Sequence, residues 1–273
     1  MNRKRKATPD FCDIELSRWN DPEYQDILTD SWWDLPSRTN TDGHKLDYHG
    51  NFIPQIANQT FRRFTKEGDV IIDWFLGSGT SAIEAVNLKR RLIGVELKPD
   101  LVDYVRSKLP LEMLDKDIYL IPGDSASSET AAQVKSALGK MGKFNAQLAV
   151  LHPPYADIIS FSDKPEDLSN CPSTDAFLDG FRRVAANAYD LLQPGRFAIL
   201  VIGDKYCAGE LDPLGFKCLN VMNEVGFKTK SIVVKNITGN EVAKGKNNNL
   251  WRYRALLGGF YVFKHEYVIV FFK

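Results

Sequence analysis

Asp73-Trp74-Phe75-Leu76-Gly77-Ser78-Gly79-Thr80 takes its meaning from what stands on either side of it. Val70-Ile71-Ile72 before it is an apolar run of the buried-strand type, and Ser81-Ala82-Ile83-Glu84-Ala85-Val86 after it carries helical spacing. Strand, glycine turn and helix in that order open a doubly wound α/β fold. Gly77 and Gly79 lack the Cβ atoms that would keep a ligand off the backbone, and Thr80 is placed to cap a helix whose free N–H groups face the same crevice. A phosphate or a nucleoside suits such a turn. A phosphate loop, however, needs Gly-Lys-Ser/Thr after the glycines, and no lysine follows here until Lys89.

Further along, Arg91-Leu92-Ile93-Gly94-Val95-Glu96 reads as a second strand closing on an acid, the place from which such folds grip ribose hydroxyls. A third strand, Ile118-Tyr119-Leu120-Ile121, runs into Pro122-Gly123-Asp124-Ser125 and puts another carboxylate at a strand end, where it can accept from an adenine amino group. Taken singly, Glu96 and Asp124 also read as solvated turn acids, and nicotinamide-dependent enzymes share the first two features. A fourth strand, Ala146-Gln147-Leu148-Ala149-Val150-Leu151, stops at His152-Pro153-Pro154-Tyr155. Two prolines cannot continue a ladder and hold the chain stiff and extended. A flipped-out base can stack on Tyr155 while its exocyclic amine donates to a proline carbonyl and to residue 152. The competing reading is a structural Pro-Pro turn with a packed tyrosine.

Together these motifs resemble the DNA amino-methyltransferases, in which Phe-x-Gly-x-Gly and (Asp/Asn/Ser)-Pro-Pro-(Tyr/Phe) bind S-adenosylmethionine and the target adenine or cytosine. The resemblance takes in Tyr48-His49-Gly50-Asn51-Phe52-Ile53-Pro54-Gln55, similar to the segment that covers the methionine part of the cofactor, and the closing stretch from Phe263 to Phe271. It implies a class I methyltransferase (Rossmann-like) α/β fold with seven mostly parallel strands, the last antiparallel, and helices on both faces. It also implies a cofactor set of Asn51, Phe52, Asp73, Phe75, Gly77, Gly79, Thr80, Glu96, Leu97, Asp124 and Ser125, and a catalytic set of His152, Pro153, Pro154 and Tyr155. The chain departs from the pattern twice. Trp74 stands where the family usually has proline, a change of packing more than of binding, and His152 stands where relatives carry aspartate, asparagine or serine. A neutral imidazole accepts the amine's hydrogen bond and an imidazolium does not, so turnover is expected to fall as pH drops through the ordinary imidazole pKa. Otherwise His152 points into the sheet and the proline carbonyl acts alone.

The expected reaction is direct transfer of a methyl group to an exocyclic amine, adenine N6 slightly ahead of cytosine N4. No Pro-Cys motif of the carbon-5 cytosine enzymes appears. An RNA methyltransferase of the same fold and a noncatalytic cofactor-binding subunit are the alternatives. The substrate is expected to be double-stranded DNA, selected by short loops, by a second copy of the chain, or by a restriction or specificity partner.

At 273 residues, 44% apolar and 26% charged, the chain can bury one large core. The expected division is an arm or lid over residues 1–45 and one catalytic domain over residues 46–273, its cofactor half 46–145 and its target half 146–273. Strands are expected at 197–202, 227–234 and 260–272, and helices at 99–109, 127–138, 174–192 and 213–225. No apolar run is long enough to span a membrane, and the basic start lacks the apolar stretch of a signal peptide, so a cytoplasmic protein is expected. The four cysteines and four histidines are scattered, and no metal is expected. With a net charge of zero, DNA must meet a local cationic patch. Residues 235–254, with Lys244, Lys246, Arg252 and Arg254 among asparagines and aromatics, are expected to form a mobile loop against DNA. Ser160 and Lys164, in a loop just beyond Tyr155, are expected to hold or wedge the base.

Overall fold

The computed structural model describes residues 8–37, 52–155, 162–207, 209–237 and 248–273. Its centre is the strand–turn–helix unit: β2 (Val70–Asp73), the glycine turn and α2 (Thr80–Asn87). Outward from β2 on one side lie β3 (Arg91–Glu96) and β4 (Ile118–Pro122), joined through α3 (Pro99–Arg106); α4 (Ser128–Lys140) then leads back to β5 (Ala146–Leu151) on the other side of β2. These strands are parallel, with Asp73 level with Gly94 of β3 and Val150 of β5. The strand order reverses between β2 and β5, which is where open α/β sheets carry their ligands, outside the carboxyl ends of the strands.

The rest of the sheet follows from α5 (Thr174–Leu191), β6 (Leu192–Ile202), α6 (Leu214–Val225), β9 (Lys228–Asn236) and β10 (His265–Phe272). β6 is parallel to β5, and β10 inserts between β6 and β9 antiparallel to both. Alternate residues of the central strands face opposite ways, as a pleated strand requires. Val70, Ile72 and Trp74 join Ile93 and Val95 in a core under α4, α5 and α6, while Ile71 and Leu92 enter a second core under α1 (Pro54–Phe64), α2 and α3. Trp74 is fully buried in the first core, where its ring fills space under the turn.

Three expectations are corrected. Among the described residues the sheet has eight strands, not seven, because Trp32–Trp33 forms β1 and pairs in parallel with β9 at the edge. The expected arm therefore extends the sheet, with Trp33 and Leu35 buried and Arg63 donating to the Leu28 carbonyl at 2.7 Å. Between β6 and α6 a small hairpin, β7 (Lys205–Cys207) with β8 (Glu210–Asp212), also went unanticipated. Finally, the stretch expected as loop contains helix α7 (Asn248–Gly258), and β10 begins at His265 rather than at 260. Gly258 and Gly259 end α7, Gly259 with φ of 67°, and the next residues pack Phe260 and Phe263 on Tyr206 at ring separations of 4.9 and 4.8 Å instead of entering the ladder. The proposed boundary near residue 45 lies outside the described residues. Among the described residues no helix is long and apolar enough to cross a membrane, and no cluster of His, Cys, Asp and Glu is suited to a metal.

Candidate active site

The carboxyl ends of β2, β3 and β4 build the first half of the site. Gly79 takes a left-handed φ of 89° as the N-cap of α2, and a Cβ there would meet Val105 Cγ1 of α3 at 2.6 Å, so only glycine lets the turn settle on that helix. Thr80 is therefore the first helical residue and not the cap expected of it. Asp73 is buried behind the turn: Oδ1 accepts from Phe75 N–H at 3.0 Å and Oδ2 from the Ser81 hydroxyl. Burial pushes its carboxyl up to about 6 against the pull of those two donors. Asp73 thus braces the turn against α2.

Glu96, at the end of β3, closes across the crevice. Its Oε2 accepts from Gly77 N–H at 2.9 Å and its Oε1 from Lys98 N–H at 3.0 Å. Burial raises its pKa from the ordinary value, and the two backbone N–H groups oppose that rise. Each oxygen of a carboxylate has two acceptor positions, so one on each remains for a vicinal diol. At the end of β4, Asp124 Oδ1 accepts from Ala126 N–H at 2.9 Å, and the buried Ser125 hydroxyl donates to the Trp74 carbonyl, tying this strand end to the glycine turn. Glu96 and Asp124 thus stand at the carboxyl ends of neighbouring strands, which Gly123 N–H links by donating to the Glu96 carbonyl at 2.9 Å.

The second half is the proline turn at the end of β5, next to β2. His152 lies between two aromatic rings in edge contact, Phe52 at 5.3 Å and Tyr155 at 5.8 Å. Phe52, from the segment expected over the cofactor, thus reaches the target side as well. The imidazole nitrogens have no hydrogen-bond partner among the described residues, which leaves them available to a ligand. Burial lowers the His152 pKa to about 4, a shift in which Glu266 and Lys235 nearby pull in opposite directions. His152 is accordingly a neutral acceptor throughout the physiological range, and the expected loss of turnover near the ordinary imidazole pKa is corrected to a much more acidic threshold. The Tyr155 hydroxyl donates to Glu266 Oε2 at 3.0 Å, and burial followed by the Glu266 charge holds its phenol well above the ordinary value.

The family described as DNA methylase matches residues 2–107, a stretch that contains the glycine turn and Glu96. Over that stretch the chain is similar to the DNA methylases. Among curated relatives, Type II methyltransferase M.MjaII of Methanocaldococcus jannaschii is 38% identical over 52 residues, covering 19% of this chain and 10% of that protein. Type II methyltransferase M.BglI of Bacillus subtilis is 28% identical over 86 residues, covering 32% of this chain and 24% of that protein. The chain thus matches less than a quarter of the length of either relative. Among solved structures, TrmN from Thermus thermophilus aligns with a TM-score of 0.51 at 15% identity, over 82% of this chain and 50% of that one, which shows the shared class I methyltransferase fold.

The proline turn lies beyond residues 2–107, and the pairing of β2 with β5 brings it next to the glycine turn. Asn51, Ser160, Lys244 and Lys246 lie outside the described residues. Lys164, expected at the DNA, has its ammonium donating to the Leu97 carbonyl at 2.7 Å, on the cofactor side next to Glu96. Its segment is knotted by Asp167, which accepts from the Ser162 hydroxyl and from both the N–H and the hydroxyl of Ser169. Arg252 and Arg254 are exposed on α7, Arg254 lying 5.3 Å from the Trp251 ring centroid. Sequence reasoning overlooked Glu266 and Lys235, which face each other across β9 and β10 and meet at 2.9 Å beneath Tyr155. A lysine closing the apolar run Ile232-Val233-Val234 was the signal available.

Proposed function

We propose that this chain is a DNA amino-methyltransferase that moves a methyl group from S-adenosylmethionine to the exocyclic amine of a flipped-out base, adenine N6 ahead of cytosine N4. The observation that carries the reading is the meeting, at the ends of neighbouring strands β2 and β5, of a glycine turn braced by Glu96 with a stiff proline turn bearing a neutral histidine and a tyrosine.

In this reading Glu96 holds the ribose hydroxyls, Asp124 the adenine amino group, and Gly77 and Gly79 let the cofactor lie on the backbone. S-adenosylmethionine supplies a methyl group on a sulfonium that is its own leaving group. The protein's task is alignment and the electronic preparation of the amine. Tyr155 offers its face to the base. The Pro153 carbonyl and a His152 nitrogen accept the two amine N–H groups, which draws the nitrogen lone pair out of conjugation with the ring and towards the methyl group. Arg252 and Arg254 on α7 meet phosphates. Short loops, a second copy of the chain or a restriction partner supply sequence selection.

Incubating the protein with labelled S-adenosylmethionine and duplex DNA, digesting to nucleosides and weighing the products tests this directly. N6-methyldeoxyadenosine or N4-methyldeoxycytidine is expected; transfer confined to total RNA in a parallel reaction, or to no nucleic acid, rejects it.

Lys164 gives a sharper contrast between the two halves. Because its ammonium reaches the Leu97 carbonyl on the cofactor side, Lys164→Ala is expected to leave the salt dependence of DNA binding unchanged. A phosphate contact would instead reduce the slope of log affinity against log salt by about 0.9. Fluorescence titration of duplex DNA over a range of salt measures it, and a reduced slope returns Lys164 to the DNA.

A further inference from the structure

β9 and β10 each bury one charged side chain, and the two stand at the same level. Lys235 and Glu266 are register partners, both side chains are almost wholly buried, and Lys235 Nζ lies 2.9 Å from Glu266 Oε1. Removing two ions from water costs more than a pair of apolar side chains of the same volume would, so such a pair is weak evidence for stability and needs another reason to be there. The second carboxylate oxygen supplies one. Glu266 Oε2 accepts the Tyr155 hydroxyl at 3.0 Å, across 111 residues of sequence, so the acid has one oxygen on the lysine and the other on the proline turn.

The rest of the Tyr155 ring is held only by packing. Gly203, just beyond β6, lies close enough that a Cβ there would come within 3.2 Å of Tyr155 Cε2, and His152 touches the ring edge-on. Neither contact has a preferred direction comparable to a hydrogen bond. The hydroxyl is the directional restraint, and its acceptor is fixed in turn by the buried ammonium.

We propose that Glu266 and Lys235 are positioning residues of the target pocket: the pair clamps the Tyr155 hydroxyl, setting the plane on which the base stacks before DNA arrives. This rests on the methyltransferase reading for the identity of the base, but not for the clamp itself. Glu266 acts through Tyr155, and Lys235 acts through Glu266.

The test uses two double variants of the full chain. Lys235→Met with Glu266→Leu replaces the ions by apolar groups and removes the acceptor, whereas Lys235→Met with Glu266→Gln removes both charges but keeps an acceptor for the hydroxyl. The Leu variant is expected to fold and to bind S-adenosylhomocysteine unchanged. Its kcat for DNA is expected to fall about 10- to 100-fold, as small misplacements of reacting groups do. The Gln variant is expected to regain most of that loss. Turnover of the Leu variant at the wild-type rate overturns the proposal.

A second readout needs no methyl transfer. In protein labelled with 3-fluorotyrosine, the Tyr155 resonance, assigned by its disappearance in Tyr155→Phe, is expected to be single and sharp in the wild type and in the Gln variant, and broadened or split in the Leu variant. A resonance that is the same in all three overturns the clamp. If the wild type methylates no nucleic acid, the functional reading fails, and the fluorine spectrum still decides the clamp.

Discussion

His152→Ala is expected to lower kcat at saturating cofactor and DNA by about 10²-fold or more, the scale seen when a hydrogen-bonding group aimed at a developing charge is removed. Binding of S-adenosylhomocysteine should be unchanged, because His152 belongs to the proline turn and not to the cradle around Glu96. His152→Asn, which keeps an acceptor, should recover much of the loss. The pH profile carries the same argument. With burial holding the imidazole pKa at about 4, the acceptor is neutral across the working range, and kcat should be insensitive to His152 ionisation from about pH 8 down to about pH 5.5. Stability follows the same pKa with a definite sign. Above the unfolded value of 6.5 both states are neutral and the protein loses nothing. Between 6.5 and about 4 the unfolded chain takes up a proton that the folded chain refuses, at a cost of at most ~3 kcal/mol. Asp73 works the other way: with its folded pKa at about 6 against 3.8 unfolded, acidification across that interval favours the fold. Stopped-flow or single-turnover transfer measures the first effect and thermal denaturation across pH the second. A folded His152→Ala protein that transfers methyl groups within threefold of the wild type leaves the Pro153 carbonyl as the sole acceptor and removes the histidine from the chemistry.

The parallel half of the sheet was legible because its signals are local. Val70 to Thr80 spells strand, turn and helix in eleven consecutive residues, and Glu96 and Asp124 each close a strand whose apolar run is visible by itself. Trp32–Trp33 was not legible, since two residues have no period and become a strand only because β9 offers a free edge, where Val234 N–H donates to the Ser31 carbonyl at 2.8 Å. Helix α7 was missed for a different reason. The asparagines before Trp251 suggest a turn, and the exposed Leu256 and Leu257 show that its apolar residues do not all face a core, so the stripe that marks a buried helix face is absent. Within the site, residue types could be read from the sequence but not their commitments. The sequence shows Lys164 as a cation but not that its ammonium reaches the Leu97 carbonyl on the cofactor side. The role of Glu266 depends on a tyrosine 111 residues away, a relation that no window of sequence contains.

Glu96→Ala is expected to weaken S-adenosylhomocysteine by about 10²-fold or more, since each hydrogen bond to a charged group contributes ~1.5–3 kcal/mol and two ribose hydroxyls are lost. In the free protein the carboxylate already accepts Gly77 N–H and Lys98 N–H, so the same change also loosens the glycine turn. The two effects separate with a ligand lacking the ribose 2′-hydroxyl. If Glu96 holds the diol, the wild type discriminates against the deoxy ligand and the alanine variant does not; if Glu96 only braces the turn, both proteins weaken or retain the two ligands in parallel. Glu96→Gln adds a third comparison, because an amide keeps one acceptor oxygen but turns an NH₂ towards one of the two backbone donors. It should bind more weakly than the wild type despite its matching shape. Because burial raises the Glu96 pKa, affinity should also decline on acidification at higher pH than an exposed glutamate would dictate, as the carboxylate gains a proton and loses acceptor capacity. Isothermal titration calorimetry with both ligands and all three proteins decides the matter: alanine-variant affinity equal to that of the wild type for both ligands removes Glu96 from the cofactor site.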